Sequence, residues 1–193
     1  MRQIAIVQGH PDRNGGHYGQ ALATAYTEAA TRAGHSVSII SVAELDFPIL
    51  RTQEEFNSPA VPPAIERAQQ TLRSAQHILI VFPLWHGTLP SLLKAFFEQT
   101  FRPGFAMEYR TRGLPRRLLK GRSARIIVTM GMPAMLYRWL FGAHGVRVLE
   151  RSILWWSGIS PVRTSYIGRI GELSDQGRRR WLVRAAGWGA RGV

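Results

Sequence analysis

Two histidines, His10 and His17, stand inside the glycine-rich run GHPDRNGGHYG, from Gly9 to Gly19. With Arg13 they can donate charge-assisted hydrogen bonds, and the glycines let backbone N–H groups come close to an anion. A helical pattern follows from Gln20, so a helix N-terminus adds about half a positive charge there. The chemistry this points to is phosphate binding. The competing reading is a plain glycine-rich surface turn. The run is neither a Walker loop, since no Gly-Lys-Ser/Thr follows, nor a G-x-G-x-x-G dinucleotide loop. Nor is a metal site assigned: no third ligand stands near His10 and His17, and the spacing of His86 and His144 in other loops does not require one.

A second candidate is PLWHG, which offers Leu84, Trp85 and His86 as a flat apolar face where a turn normally carries small polar residues. Core packing of Trp85 is the simpler reading of that segment alone. The third is TMGMPAMLYRWLFGAHG, with Thr129 and Gly131 at the end of an apolar run, then Tyr137 and His144. No Ser-His-Asp or Cys-His arrangement is evident, and Asp12, Glu98 and Glu108 form no carboxylate pair. Hydrolytic chemistry therefore has little support.

Which elements would position these residues follows from periodicity. QIAIVQ (Gln3 to Gln8) reads as a first strand, a helix follows to Gly34, and Ser36 to Val42 is a second strand, giving a βαβ unit. Asp46 to Pro63 is polar and proline-rich and is expected on the surface, and Ala64 to Ala75 reads as a helix. Ile78 to Phe82 is a strand buried on both faces, with Pro83 stopping its ladder. Ser91 then looks like the N-cap of a helix ending near Phe101. Arg102 to Arg117 is a long irregular loop. ARIIVTM (Ala124 to Met130) is the fourth strand, followed by a helix from Ala134, and RSILWWS (Arg151 to Ser157) reads as the fifth. Gly158 to Gly171 is a loop and Asp175 to Gly187 a final basic helix. Strands alternating with helices predict one domain over residues 1–193, a three-layer doubly wound α/β fold with a five-stranded parallel sheet of order 2-1-3-4-5, flavodoxin-like in topology. That order sets the Gly9–Gly19 and Pro83–Pro90 loops across one crevice, with the Gly131 turn beside them. An anion site next to a flat apolar face then suggests a mononucleotide such as a flavin. Tyr137 and His144 are the candidates to stabilise negative charge on its pyrimidine edge.

Composition narrows the classes further. Hydrophobic residues make up 45% of the chain and charged ones 19%, as in ordinary folded proteins. With no cysteine, disulfides and thiolate-ligated metals are excluded. No apolar run is long enough to span a membrane and the N-terminus does not read as a signal peptide, so a cytoplasmic protein is expected. The net charge of +13 is nearly all arginine, with lysine only at Lys94 and Lys120. It comes without a zinc-finger, RRM or basic-zipper pattern, so nucleic acid is not expected as a partner.

The most distinctive segments are GHPDRNGGHYGQAL, FPLWHGTLPSLLKAFFEQTFRPGFAMEY and TMGMPAMLYRW. On these the chain resembles the flavodoxin-like NAD(P)H:quinone oxidoreductase family, which includes the mammalian quinone reductases, the modulator-of-drug-activity-B proteins and ancillary flavoproteins of potassium efflux systems. The resemblance implies FMN or FAD, with hydride passing from NADPH or NADH to the flavin and on to a quinone in a ping-pong cycle. By position it implies that His10, His17 and Tyr18 meet the flavin phosphate and ribityl chain. Pro83, Leu84, Trp85, His86 and Gly87 would lie along the isoalloxazine, and Thr129, Met130 and Gly131 would close its other side. Tyr137 matches the family tyrosine near the pyrimidine edge, and His144 stands one residue beyond the expected histidine. Gly15 and Gly16 replace Ser or Thr, and Met130 and Met132 replace smaller residues. Family members are usually homodimers, with which the apolar surplus of Trp139, Leu140, Phe141, Trp155 and Trp156 agrees. The alternative role is a regulatory flavoprotein associated peripherally with a membrane transporter. The arginines Arg110, Arg112, Arg116 and Arg117 lean the donor towards NADPH.

Overall fold

The computed structural model describes residues 1–193. Strand β1 (Gln3–Gln8) buries Ile4 to Val7 on both faces, as an interior strand of a parallel sheet must. It leads through the glycine loop into α1 (Tyr18–Arg32), whose Leu22, Tyr26, Ala29 and Ala30 return at helical spacing to one buried face. Next come β2 (Ser36–Ser41) and a 3₁₀ turn (Val42–Glu44). The expected surface segment contains a short helix, α2 (Gln53–Asn57), capped by the Thr52 hydroxyl. It is held down by Arg102, which is buried and donates to the carbonyls of Glu55, Phe56 and Ala60. A buried guanidinium is tolerated because those carbonyls satisfy it.

Helix α3 (Pro63–Ser74) precedes β3 (His77–Pro83), which is buried along its length up to Pro83. Pro83 does not stop the ladder: it pairs in register with Thr129, and the Leu84 amide donates to the Thr129 carbonyl at 2.8 Å. In α4 (Ser91–Thr100) the N-cap is Pro90, and Ser91, expected to cap, is the first helical residue. The long loop that follows carries a two-residue antiparallel ladder, β4 (Met107–Glu108) with β5 (Arg116–Arg117). Strand β6 (Ser123–Thr129) is as buried as β3. After it come α5 (Ala134–Trp139) and α6 (His144–Arg147), which continues as π-helical turns through Val148–Trp155.

The fifth strand therefore lies elsewhere than expected. RSILWWS is helical, with Leu149 and Leu154 turned to the core, and β7 is Val162–Ile167, inside the stretch expected to be a loop. A short apolar run does not separate buried helix from buried strand by periodicity, whereas VRTSYI is polar because it is an edge strand with one side half open. The number and order of strands stand as expected: all five are parallel, in the order β2-β1-β3-β6-β7. Helix α7 (Asp175–Arg191), capped by Ser174, packs with α1 on one face of the sheet. Gly189 permits that contact, since a Cβ there would stand 2.2 Å from the Tyr26 carbonyl oxygen. The larger core, centred on Phe82, Phe96 and Phe97, fills the opposite face beneath α3 and α4. No helix is long and apolar enough to cross a membrane.

Candidate active site at the carboxyl end of the sheet

The exits of β1, β3 and β6 are tied together. The Gly9 amide donates to the Val81 carbonyl at 2.8 Å, and a Cβ on Gly9 would fall 2.5 Å from the Leu93 side chain, which would have to give way to it. Beyond Gly9 the imidazoles of His10 and His17 stack with centroids 3.5 Å apart. Asp12 organises both. Its backbone amide donates to His10 Nδ1 at 3.1 Å, and its Oδ2 lies 2.8 Å from His17 Nε2. Neutral His10 therefore carries its proton on Nε2, which leaves a hydrogen-bond donor. Burial pushes the His10 pKa down, and His17 adds to this against the opposing Asp12 charge. The Asn14 amide, then His17, hold the Asp12 carboxyl below its usual range. His17 is also the N-cap of α1, with its amide donating to Gln20 Oε1 at 3.2 Å.

A cleft of about 360 Å³ opens over this helix start, with His10, His17, Tyr18, Pro83 and Thr129 in its walls. These five expected residues are brought together. Arg13 is not among them, because its Nε donates to the Ala43 carbonyl at 2.7 Å. A residue that motif reading missed is Arg178, in the second turn of α7, which joins the same wall. Its carbonyl accepts from the Tyr18 hydroxyl at 2.8 Å, and its guanidinium donates to the carbonyls of Ile170 and Leu173. The available signal was its place in the arginine density of the last helix, just after a Ser-Asp helix start. Gln8, Gln20 and Ile170 also line the cleft.

The second loop is a tight turn. Trp85 and Thr88 exchange both backbone hydrogen bonds, at 3.0 and 2.9 Å, around His86 (φ 47°) and Gly87 (φ 76°). Positive φ at both central residues is a type I′ turn, for which histidine is a tolerated and glycine a favoured occupant. Trp85 is 46% exposed and meets the edge of His10 at 6.1 Å, so the flat face and the anion end are contiguous. On its other side, Trp85 and His86 border a second cavity of about 480 Å³ with Lys94 and Ile153.

The remaining expected residues are placed differently. Tyr137 is not open to the cleft: it is 1% exposed, and its hydroxyl donates to the Gly87 carbonyl at 2.9 Å. Burial raises its pKa. Gly145 sits under the same turn, where a Cβ would be 2.3 Å from that carbonyl. His144 is exposed at the start of α6, folded back over Gly142, and lines neither cavity. Met130 is buried in the core, and its backbone bonds Ile167 and Ile170 of the neighbouring strand and loop. Leu84 is partly buried against the core, and Gly131 is exposed at the β6 exit. The arginines of the long loop lie away from the cleft, because α4 carries the chain back to the amino end of the sheet. There Arg116 pairs with Glu108 at 3.5 Å and Arg117 stacks on Trp155 at 3.8 Å.

Comparison with known proteins agrees with this architecture. The chain is 26% identical over 187 residues, 94% of its length and 91% of the other's, to a Haemophilus influenzae protein named an uncharacterized NAD(P)H oxidoreductase. It is also 26% identical over 148 residues, 72% of each chain, to the FMN-dependent NADH:quinone oxidoreductase of Haemophilus influenzae strain PittEE. Among solved structures, the NAD(P)H:quinone oxidoreductase from Methanothermobacter marburgensis superposes with a TM-score of 0.78 at 20% identity, covering 100% of this chain and 99% of that one. The family model described as flavodoxin-like fold matches residues 2–185, and the chain belongs to that family.

Proposed function

We propose that this protein is an FMN-dependent NAD(P)H oxidoreductase that reduces quinones or similar two-electron acceptors in a ping-pong cycle. The observation that carries the reading is the cleft itself, where an anion-binding helix start and a flat, half-exposed tryptophan meet through His10. The names of the two Haemophilus influenzae relatives support the same chemistry.

The residues fit the cofactor. His10 Nε2, the first amides of α1 and Arg178 supply donors for a phosphate, and Gly16 and Gly19 leave the wall without side chains. Trp85 offers an apolar face for a ring system, and the amides of His86 and Gly87 have no backbone partner and remain available to polar edges. When bound, FMN supplies a two-electron carrier between hydride donor and acceptor. The chain's own contribution is to hold that turn still: Tyr137 and Gly145 brace it from below, and Thr129 ties it to β6 through the Leu84 amide. Tyr137 thus acts as a positioning residue, and His144 has no role at the cleft of the single chain. We propose further that the protein is a homodimer, since α5 and the residues after it leave Trp139 78%, Leu140 71% and Phe141 49% exposed.

Absorption spectroscopy of the purified protein, before and after incubation with FMN, tests the reading. A flavin spectrum that survives gel filtration supports it, and protein that stays colourless overturns it. Steady-state turnover with NADH or NADPH and a benzoquinone then separates an enzyme from a flavin-binding regulatory protein, in which flavin is held but turnover is close to nil.

A further inference from the structure

The net charge of +13 is unevenly placed along the chain. Of the 25 lysines and arginines, 17 follow Tyr109, against only 3 of the 12 acidic residues, Glu150, Glu172 and Asp175. The part before that point is therefore close to neutral. Sheet order carries this division into space: β2 and β7 are opposite edges, and β7 meets α5 and α7, so the cations gather on that side.

Their densest stretch is the outer face of α7. Arg180, Arg184 and Arg191 recur there at helical spacing with Arg179 beside them, all four exposed, and Val183 stands among them at 70% exposure. None of the four makes an ion pair. Of the two acidic residues at the start of the helix, Glu172 pairs with Arg169 at 4.0 Å, which leaves Asp175 alone against the row. A groove of about 420 Å³ between α5, β7 and α7 opens into the same face. Its walls hold Arg138 and Arg184 with the rings of Tyr166, Trp181 and Trp188, and no carboxylate lines it. Arg138 lies over Tyr166 at 5.7 Å and Arg184 over Trp181 at 4.9 Å, while Glu150 is turned to the Thr164 hydroxyl. A guanidinium held over a ring still has its N–H donors free to bond phosphate.

The form of this face selects among anions. Its charges are strung along a helix of 17 residues and do not converge on one point, so they match separate headgroups better than a single small anion. An exposed valine within a row of arginines gains nothing from a sugar-phosphate backbone, whereas beneath headgroups it reaches an apolar phase. Indole and phenol rings with one polar edge also suit headgroup depth. We propose that this face seats the protein on an anionic lipid surface, with Arg138, Arg179, Arg180, Arg184 and Arg191 on headgroup phosphates and Val183 at the acyl boundary. The proposal does not depend on the flavin reading of the cleft.

Co-sedimentation of the intact chain with lipid vesicles, in about 0.1 M salt, tests it. Vesicles of phosphatidylcholine with about 30% phosphatidylglycerol should carry the protein down, and vesicles of phosphatidylcholine alone should not. Arg180→Gln combined with Arg184→Gln should weaken binding about 25-fold, about fivefold for each charge. Removing the same charge from the α2 and α3 side, by Arg51→Gln with Arg67→Gln, should weaken it less than about threefold. All four side chains are exposed and without ion pairs, so both double variants should melt close to the wild type. Val183→Ser, which leaves the charge unchanged, should still cost about threefold on the anionic vesicles. Failure of the wild type to sediment with anionic vesicles overturns the proposal, and so does an equal loss in the two double variants, which would make net charge the whole effect. Tighter binding to a short DNA duplex than to the vesicles, with Val183→Ser without effect on either, identifies a nucleic-acid surface and overturns it as well.

Discussion

The Tyr137 hydroxyl donates to the Gly87 carbonyl from inside the core and also accepts from the Val146 amide at 3.4 Å. Removing it in Tyr137→Phe leaves two buried backbone groups short of a partner, at a cost of about 1–3 kcal/mol. The expected outcome is a lower denaturation midpoint together with weaker FMN binding, read by urea unfolding and by flavin fluorescence quenching. A stability loss with FMN affinity unchanged would show that the turn does not position the cofactor. His86 sets a related constraint: at φ 47° a β-branched side chain is strained, so His86→Val should cost about 1–3 kcal/mol in the same unfolding assay while His86→Asn is tolerated. An aromatic replacement at this position carries that strain as well. His77 provides the pH test. Its folded pKa, about 3, lies below the 6.5 of an ordinary histidine, so the unfolded chain takes up a proton first as the pH falls. Its contribution is fully present above about pH 6.5 and is lost by about 1.4 kcal/mol per pH unit from there down towards pH 3. His77→Gln should flatten the dependence of unfolding free energy on pH between 6 and 4, and an unchanged slope would contradict the assignment. At this scale the adjacency of the glycine loop and PLWHG at the carboxyl end of the sheet was legible, because the strand order predicted from the apolar runs sets those two exits side by side. Tyr137 was expected to face a ligand and is instead buried beneath the turn, since no local pattern tells a phenol that faces a ligand from one that braces a turn.

At the scale of elements, five parallel strands and their order could be read from alternating apolar runs, yet the last strand was displaced by a helix of the same composition. In RSILWWS, isoleucine, leucine and two tryptophans satisfy a strand pattern, and only the polar VRTSYI downstream, half covered at the sheet edge, supplies the real pairing with β6. Edge strands write a weaker signal because one side has no burial to specify. The contact of α1 with α7 was equally unreadable, although one residue determines it. A Cβ on Gly189 would meet backbone at 2.2 Å, which cannot give way as a side chain would. Gly189→Ala should therefore push α7 outward and cost about 1–3 kcal/mol of stability, the usual range for overpacking. Because Arg178 rides on the same helix and contributes to the cleft wall, FMN affinity should fall with it. Arg178→Gln separates the two effects: without moving α7 it should lower FMN affinity about tenfold, and it should lower the melting temperature only by the loss of its bonds to the Ile170 and Leu173 carbonyls, about 1–2 kcal/mol, which fluorescence titration and thermal unfolding measure together.

For the whole molecule, the exposed apolar residues are not scattered. Met135, Leu136, Trp139, Leu140 and Phe141 follow one another along α5 and its exit, with Val148 at the start of the π-helical turns. Together they expose an apolar area on the order of several hundred Å², at or above the largest patch that a typical soluble monomer leaves open. A second copy is the simplest cover, since an isologous contact buries the same patch twice and reaches the roughly 1,600 Å² of a stable interface with little more than its rim. Burying one tryptophan at such a centre commonly contributes more than any rim charge, so Trp139→Glu is the sharpest probe. The wild type should sediment at twice the mass of the chain, and Trp139→Glu at the mass of one chain with its circular dichroism preserved. The patch lies on the segment that leaves the Gly131 turn beside the cleft, so separation of the copies should reach the chemistry. Quinone turnover of the monomeric variant should drop well below that of the wild type even where FMN remains bound. A variant that sediments as a monomer but turns over at the wild-type rate would confine the site to one chain, and a wild type that is already monomeric would leave the patch to a different partner.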